Sequence, residues 1–331
     1  MADDAPGADL PRLVEAVRAN LLGGDAVYTS AEVAEQAGIS LDEARALWRA
    51  LGFATVEDGQ RVFTEADVVA LRNVEELRRV GDIDDELMQS MTRILGQTFA
   101  RLASWQGQLV TEIIAKSPEL LADPDGQPAL DLMDRLKPVV TDLHSYVWSR
   151  QLAAYFARIV ANATTEPGSQ TAMAVGFADM AEFTAFTRRS SEAELRDVLG
   201  RFESVATEVV GAHRGQVVKT IGDEVLFIAH SPGEAAEIAL ALLEAAEADA
   251  SLPPFRAGVA YGPVVTRLGD VFGQTVNIAS RLTSLARTGS VLIDEGLAGR
   301  LDGDARYSLR TLRPASVRGY SHLKSWRLRR A

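Results

Sequence analysis

The stretch Lys219–Phe227, with the sequence KTIGDEVLF, decides the fold class because a Gly-Asp pair interrupts two strand-like stretches. Such a pair predicts a tight β-hairpin. Strand-like stretches run through the C-terminal half, at Met173–Phe177, Gln216–Thr220, Val225–Ile228, Phe255–Ala260 and Val291–Ile293. Helical patterns lie between them, near 191–212, 233–248 and 274–286. Strand, helix, hairpin, helix, strand is the order of a ferredoxin-like sandwich, so we predict an α+β fold with helices covering one face of the sheet.

The sequence pattern of the N-terminal half is typical of helices and contains no strand-like stretch. Ser30, Ser40 and Thr64 each precede a helical pattern and can cap its first turn. Longer helical patterns follow over residues 84–116 and beyond Pro138. This half therefore predicts an all-α domain.

A polar segment with a Pro-Gly pair, TTEPGSQ at residues 164–170, separates the two patterns. Segments of this kind are typical of linkers between domains. We therefore predict an all-helical domain at 1–163, a linker at 164–170 and an α+β domain at 171–331.

The charge of the chain is concentrated in the N-terminal half. Residues 1–165 hold 26 acidic and 15 basic side chains, and residues 166–331 hold 20 and 19. An acidic surface repels nucleic acid and anionic lipid. There is no cysteine, no apolar run of 18 residues, and no basic-then-apolar pattern in MADDAPGADL. We therefore expect a cytoplasmic protein without a transmembrane segment.

Two carboxylates lie where strands are predicted to end. Asp179 follows the first strand in VGFADMAEFT, and Asp223 lies in the predicted hairpin turn. If the first strand pairs with the hairpin, both side chains meet at one end of the sheet. Oxygen donors without cysteine or histidine suit Mg²⁺ or Mn²⁺. Taken singly, each residue is equally compatible with a helix cap or a solvated turn.

A further pair of candidate site residues occurs in the segment GDVFGQTVNIASR, residues 269–281. Asn277 and Arg281 are four residues apart, so they project from one face of a predicted helix. An arginine fork and an amide can stabilise charge that develops on a phosphoryl group. The alternative for the two residues in isolation is an exposed polar helix face.

With these motifs in order, residues 170–331 resemble the class III nucleotidyl cyclases. FADMAEFT and KTIGDEVLF are similar to the two metal-binding motifs of that family. The resemblance implies that Asp179 and Asp223 are the metal ligands for two Mg²⁺ or Mn²⁺ ions and that Lys219 contacts the purine. Glu182 departs from the pattern, because the family commonly has glycine there, in the turn expected to wrap the triphosphate.

GDVFGQTVNIASR resembles the third family motif. It implies that Asp270 is the second purine contact and that Asn277 and Arg281 stabilise the transition state. Lys219 can donate to adenine N1 and Asp270 can accept from its N6, which is the pattern of an adenylate cyclase. The resemblance further implies a homodimer with composite sites, since in the family the metal ligands and the remaining site residues come from different subunits. The expected reaction is ATP to cyclic AMP and pyrophosphate.

We expect the N-terminal domain to regulate the cyclase domain, and two alternative functions of the chain stay open. Residues 30–77 resemble the helix-turn-helix of MerR-like regulators, so a DNA-binding regulator fused to a cyclase is one alternative, although the acidic charge argues against DNA. A catalytically weak nucleotide-binding module is the other. Helical domains ahead of similar cyclases are associated with autoinhibition and with protons or fatty acids as signals, and His144 is a candidate titratable group.

Overall fold

The computed structural model describes residues 10–123, 125–162, 172–267, 269–317 and 319–331. The chain divides into two compact units, Met1–Thr164 and Thr165–Ala331, which are described separately below. The predicted linker 164–170 lies outside the described residues, so its boundaries stay a prediction.

The N-terminal unit is helical throughout its regular structure. Its elements are α1 Leu10–Leu22, α2 Ser30–Ala37, α3 Leu41–Leu51, α4 Glu65–Gly81, α5 Asp85–Lys116, a 3₁₀ turn Pro118–Leu121, and α6 Gln127–Asn162. A small core contains Val33, Leu47, Trp48 and Leu71 of α2, α3 and α4, together with Phe63 from the segment before α4. This bears out the all-α prediction for this half.

Local capping chemistry explains where the short helices begin. Ser40 caps α3 through a capping box with Glu43, as predicted. The first of these helices begins one residue earlier than predicted, because Thr29 rather than Ser30 is the cap of α2 and forms a capping box with Glu32. The sequence prediction at Ser30 was therefore wrong by one residue.

The longest helix differs from its prediction. We expected a helix beyond Pro138, but α6 begins at Gln127 and runs through Pro138. A proline inside a helix removes one backbone hydrogen bond and favours a bend. Helix α1 was not anticipated either.

The C-terminal unit contains one large sheet. Its strands are β1 Ala172–Met180, β2 Gln216–Ile221, β3 Glu224–Ala229, β4 Phe255–Pro263, β7 Val291–Ile293, β8 Tyr307–Thr311 and β11 Trp326–Arg330. Two small hairpins pair β5 Val265–Arg267 with β6 Asp270–Phe272, and β9 Ala315–Val317 with β10 Tyr320–Leu323. The helices are α7 Phe183–Thr187, α8 Glu192–Ala212, α9 Pro232–Ala248, α10 Gln274–Leu285 and α11 Glu295–Leu301.

The strand order is β2-β3-β1-β4-β7-β11-β8. The first four strands reproduce the ferredoxin-like arrangement, with β2, β3, β1 and β4 each antiparallel to the next in that order. Only β4 and β7, among the described pairs of this sheet, run parallel. The predicted fold class is confirmed.

The two faces of the sheet carry different helices. Residues of α8, α9 and α11 pack with one face, in a core that includes Phe202, Ile238 and Leu297. Helix α10 packs with the opposite face through Ala279, in a cluster with Phe177 and Leu226. We expected helices on one face, and α10 departs from that expectation because its residue Ala279 covers the apolar side chains of the second face.

Candidate active site

Strand register brings three charged residues into one row. Asp179 of β1 lies directly opposite Glu224 of β3 on one side and Arg256 of β4 on the other. Directly opposed residues of antiparallel strands project from the same face. Asp179 is two residues after Phe177 on β1, so both side chains project from the same face of the sheet. The row therefore lies on the face that α10 partly covers.

Asp223 lies beside this row, in the turn between β2 and β3. Its carbonyl oxygen accepts a hydrogen bond from Met180 N at 3.0 Å, which fixes the turn against the end of β1. The structure thus brings Asp179 and Asp223 together, as the sequence predicted.

Arg256 neutralises much of the charge of this end of the sheet. Its Nε and Nη2 donate to Asp179 Oδ1 and Oδ2 at 2.6 and 2.8 Å, a bidentate pair between two partly buried side chains. Such forks hold a carboxylate in a fixed orientation. Sequence reasoning missed Arg256, and the signal was its place at the start of the strand predicted over residues 255–260.

Crowding of carboxylates perturbs their protonation. Burial raises the pKa of Asp223, and the Asp179 carboxylate adds to the rise. Burial, followed by the Asp179 and Asp223 carboxylates, raises the pKa of Glu224 to about 7. Glu224 is therefore a third acidic group of the site, which sequence reasoning also missed although it adjoins Asp223.

The donor set fits a hard divalent cation. Among the residues that the structure describes, no three His, Cys, Asp or Glu side chains are arranged to hold a metal ion by themselves. Mg²⁺ commonly takes only one or two carboxylates from the protein and its remaining ligands from water and substrate phosphates. Asp179 and Asp223 supply two oxygen donors, and a cation beside them would offset the burial and the repulsion from Asp179 that raise the pKa of Asp223.

The two predicted purine contacts touch each other. Lys219 Nζ of β2 donates to Asp270 Oδ2 of β6, although 51 residues separate them. Burial alone would raise the pKa of Asp270, but hydrogen bonds from Lys219 and from Val271 N hold it below its ordinary value. A charged donor and a charged acceptor are therefore paired side by side.

Helix α10 carries the other predicted pair. Asn277 is exposed and Arg281 half-buried, and neither side chain has a hydrogen bond or ion pair within the described ranges. The helix is fixed by Thr283, whose Oγ1 donates to Phe177 O of β1 at 3.3 Å. It also lies directly on β4, since a β-carbon at Gly258 would overlap the backbone of α10. Arg281 is thus presented by a rigid element.

No contact in the described part of the chain joins the two groups of site residues. Asp179 and Asp223 lie with Glu224 and Arg256, whereas Lys219 is bonded to Asp270. Three large apolar side chains are exposed on the described part of this unit, at Ile221, Val265 and Phe272. They belong to β2, β5 and β6, the strands that carry or adjoin the Lys219–Asp270 pair.

Comparisons with known proteins identify the family of both units. A family model described as the adenylate and guanylate cyclase catalytic domain matches residues 166–330, and one described as the adenylate cyclase regulatory domain matches residues 4–152. An adenylate cyclase of Streptomyces coelicolor is 42% identical over 85% of this chain and 73% of that protein. One of Glutamicibacter nicotianae is 36% identical over 95% of this chain and 82% of that protein.

The chain belongs to the adenylate cyclase family. A pH-sensitive adenylate cyclase of Mycobacterium tuberculosis is also similar, at 31% identity over 89% of this chain and 75% of that protein. Among solved structures, an adenylyl cyclase of P. aeruginosa matches with a TM-score of 0.44 and 19% identity, over 48% of this chain and 94% of that chain.

The N-terminal unit of this cyclase corresponds to the adenylate cyclase regulatory domain, whose family model matches residues 4–152. The segment that resembles a helix-turn-helix contains α2 and α3, and Arg45 of α3 is paired with Asp58. None of the described helices combines the length and apolar character that crossing a membrane requires.

Proposed function

We propose that this cyclase converts ATP to 3′,5′-cyclic AMP and pyrophosphate. The observation that carries the proposal is the contact between Lys219 and Asp270. Adenine presents an acceptor at N1 beside a donor at N6, and this pair offers the complementary donor and acceptor. Guanine presents the opposite pattern and would leave both charged groups unpaired, which discriminates strongly.

The reaction requires the ribose 3′-oxygen to attack the α-phosphorus in line with the departing pyrophosphate. Arg281 would donate to the α-phosphate as negative charge grows there, and Asn277 would orient the ribose. Both side chains project from α10, a helix held against β1 and β4, so they need no reorganisation during the reaction. Arg256, which donates to both carboxylate oxygens of Asp179, would hold that carboxylate in place beside the substrate phosphates.

Asp179 and Asp223 would hold two Mg²⁺ or Mn²⁺ ions together with the substrate phosphates. When bound, the ions would lower the pKa of the 3′-hydroxyl and neutralise the triphosphate. The two carboxylates would place the positive charge of the ions at the end of β1. They would leave both faces of the substrate accessible.

Each active site would combine residues of two copies. The exposed apolar residues beside the Lys219–Asp270 pair support a partner on this face, and a two-fold dimer would create two equivalent sites. Asp179 and Asp223 of one copy would then face Lys219 and Arg281 of the other. Its ATP substrate and its lack of cysteine suit a cytoplasmic location.

Turnover of ATP by the full chain with Mn²⁺, followed by chromatography of cyclic AMP and pyrophosphate, tests the activity. We expect Asp223→Asn to reduce product formation by at least about a hundredfold. Exposed Glu208 provides the matched control, since Glu208→Gln should leave turnover unchanged. Equal turnover of Asp223→Asn and wild type would refute the assigned role of Asp223.

Composite sites have a separate test. Asp179→Ala and Arg281→Ala should each be inactive alone, and mixing them with subunit exchange should restore up to about a quarter of wild-type activity per dimer. A mixture as inactive as its components would show that each site comes from one chain.

The N-terminal unit would regulate this activity, with a proton or a fatty acid as the signal. Similarity to a relative named for pH sensitivity supports the proton, and His144, bonded to Gln106, is the candidate group. DNA binding is the competing function because residues 30–77 resemble a helix-turn-helix, and a gel shift of the full chain at low salt would detect it. A weak nucleotide-binding module would instead bind ATP without turnover.

A further inference from the structure

The C-terminal end of the chain is strongly basic. Residues 305–331 contain eight arginine and lysine side chains and no aspartate or glutamate, whereas residues 166–304 hold 20 acidic and 11 basic side chains. A local excess of one charge on a folded domain creates a surface potential that attracts ions of the opposite sign. The end of the catalytic unit is therefore a place to look for an anion site.

Strand register places two of these arginines directly opposite each other. Arg327 of β11 lies opposite Arg310 of β8, and Arg329 lies opposite Ser308 of the same strand. Directly opposed residues of antiparallel strands project from one face, so the three arginines lie on the same side of the sheet. Their Cα atoms are about 5–8 Å apart, given the usual spacings of such a pair. Like charges in these positions destabilise a sheet, and an anion between them would remove the repulsion.

The arginines lie on the face of the sheet that α10 covers nearer its centre. One row of opposed residues crosses the sheet through Phe177, Gly258, Leu292, Arg327 and Arg310. Leu292 packs in a cluster with residues of α10 and of the β9–β10 hairpin. Neither of these two elements contains an acidic residue. The row is therefore apolar beneath α10 and ends in arginines on the last two strands.

The side chains of Arg310, Arg327 and Arg329 have no hydrogen bond or ion pair in the described part of the chain. The Nε atom of half-buried Arg327 is shut off from solvent and still lacks an acceptor there, which costs free energy. Arg330 provides the contrast, because it projects from the other face and donates to Glu237 and Glu244 of α9 at 2.7 and 2.5 Å. Carboxylates of the chain thus neutralise the arginine on the α9 face and leave those on the α10 face without a counter-charge.

From this we propose that β8 and β11 form a binding site for inorganic pyrophosphate, held by Arg310, Arg327 and Arg329. Guanidinium groups donate two parallel hydrogen bonds to phosphate oxygens, and they keep their charge at every physiological pH. An anion with oxygens on two phosphorus atoms can accept from several such groups at once and balance their combined charge. The inference goes beyond the proposed function and uses none of its site residues.

The surroundings favour a small free anion over a membrane or a nucleic acid. Membrane-surface sites combine basic with apolar side chains, and single-stranded nucleic acids stack their bases on aromatic ones. The large apolar side chains exposed on the described residues of this unit are Ile221, Val265 and Phe272, and none of them belongs to β8 or β11. The site therefore offers charge without a surface for lipid tails or bases.

Calorimetric titration of the full chain with inorganic pyrophosphate in EDTA tests the site, since EDTA removes metal-dependent binding at the candidate active site. Arg310→Gln and Arg329→Gln should each raise the Kd at least about tenfold, because each removes a charged donor group. Both side chains are exposed, so the variants should fold. Arg196→Gln is the matched control at an exposed arginine of α8 and should leave the Kd within about twofold. A wild type that does not bind pyrophosphate, or an equal Kd for all variants, would overturn the proposal.

Arg281→Gln distinguishes this site from the candidate active site. Strands β4 and β7 lie between β1 and β11, so about 14 Å separates the strand of Asp179 from that of Arg327. The Kd of Arg281→Gln for pyrophosphate should therefore equal that of wild type. Loss of binding in Arg281→Gln but not in Arg329→Gln would place the anion at the active site and overturn the proposal, without contradicting the proposed reaction. Flotation with phosphatidylglycerol vesicles in the absence of pyrophosphate binding would overturn it as well.

Thermal melting provides a readout that is independent of the titration. In pyrophosphate-free buffer of low ionic strength, Arg310→Gln should raise the Tm by about 1–3 °C because it removes the repulsion from Arg327. Saturating pyrophosphate should raise the Tm of wild type and leave that of Arg310→Gln nearly unchanged. A Tm of Arg310→Gln below that of wild type without pyrophosphate would mean that contacts within the chain stabilise the arginines, and it would count against an anion site.

Discussion

Glu182 combines an unfavourable backbone with an unfavourable charge. It has φ 62° and ψ 18°, in the left-handed region that favours glycine, three residues after Asp179. Glu182→Gly should remove about 1 kcal/mol of strain and raise the Tm by about 2–4 °C. Loss of the carboxylate should also lower the KM for metal-ATP severalfold.

The matched variant Glu182→Gln separates the two effects. It removes the charge and keeps the strained backbone, so the KM should fall while the Tm stays unchanged. Thermal melting and initial rates at fixed Mn²⁺ provide both measurements. A lower Tm for Glu182→Gly would mean that neighbouring contacts stabilise the left-handed turn.

Glu224 makes stability depend on pH in the metal-free protein. Its pKa of about 7 lies above the ordinary 4.5, so the folded state favours the protonated form. This contribution is complete below pH 4.5 and is lost as the pH rises through 7. After allowance for partial exposure, we expect a loss of about 1–2 kcal/mol.

Melting in EDTA at pH 5 and pH 8 tests this. Glu224→Gln mimics the protonated group, so its Tm should exceed that of wild type at pH 8 and approach it at pH 5. Exposed Glu208→Gln should follow wild type at both values. A constant difference between Glu224→Gln and wild type would contradict titration of Glu224 in this range.

At the scale of elements, the contact between α10 and β4 sets the position of Arg281. A β-carbon at Gly258 would overlap Thr283 N and Ala279 O. Gly258→Ala should therefore displace α10, and turnover should fall by at least about tenfold because small misplacements of catalytic groups are costly. Gly200→Ala is the matched control, since α8 has open space at that position. Full activity of a folded Gly258→Ala variant would show that α10 tolerates the shift.

Turns and helix caps could be predicted from the sequence, whereas the pairing register of the strands could not. The Gly-Asp turn at Asp223 and the cap at Ser40 depend on residues a few positions apart, so both could be predicted. Glu224 and Arg256 join the site only because β3 and β4 both pair with β1 at Asp179. Next to Pro138, Lys137 of α6 donates to Asn20 O of α1, a contact between residues far apart in the chain that helical propensity does not encode.

At the scale of the whole molecule, activity should depend on protein concentration. If each site needs two copies, the specific activity must fall when the enzyme is diluted below its dimer dissociation constant.

Initial rates over a dilution series separate assembly from chemistry. Val265→Glu, at an exposed apolar residue of β5, should shift the concentration of half-maximal specific activity upward at least tenfold and leave the plateau unchanged, because Val265 belongs to the proposed interface and to none of the proposed site residues. Val80→Glu should reproduce the wild-type curve. A specific activity that stays constant at dilutions where sedimentation shows monomers would contradict the composite sites, and a lower plateau for Val265→Glu would mean that β5 also affects the chemistry of the assembled enzyme.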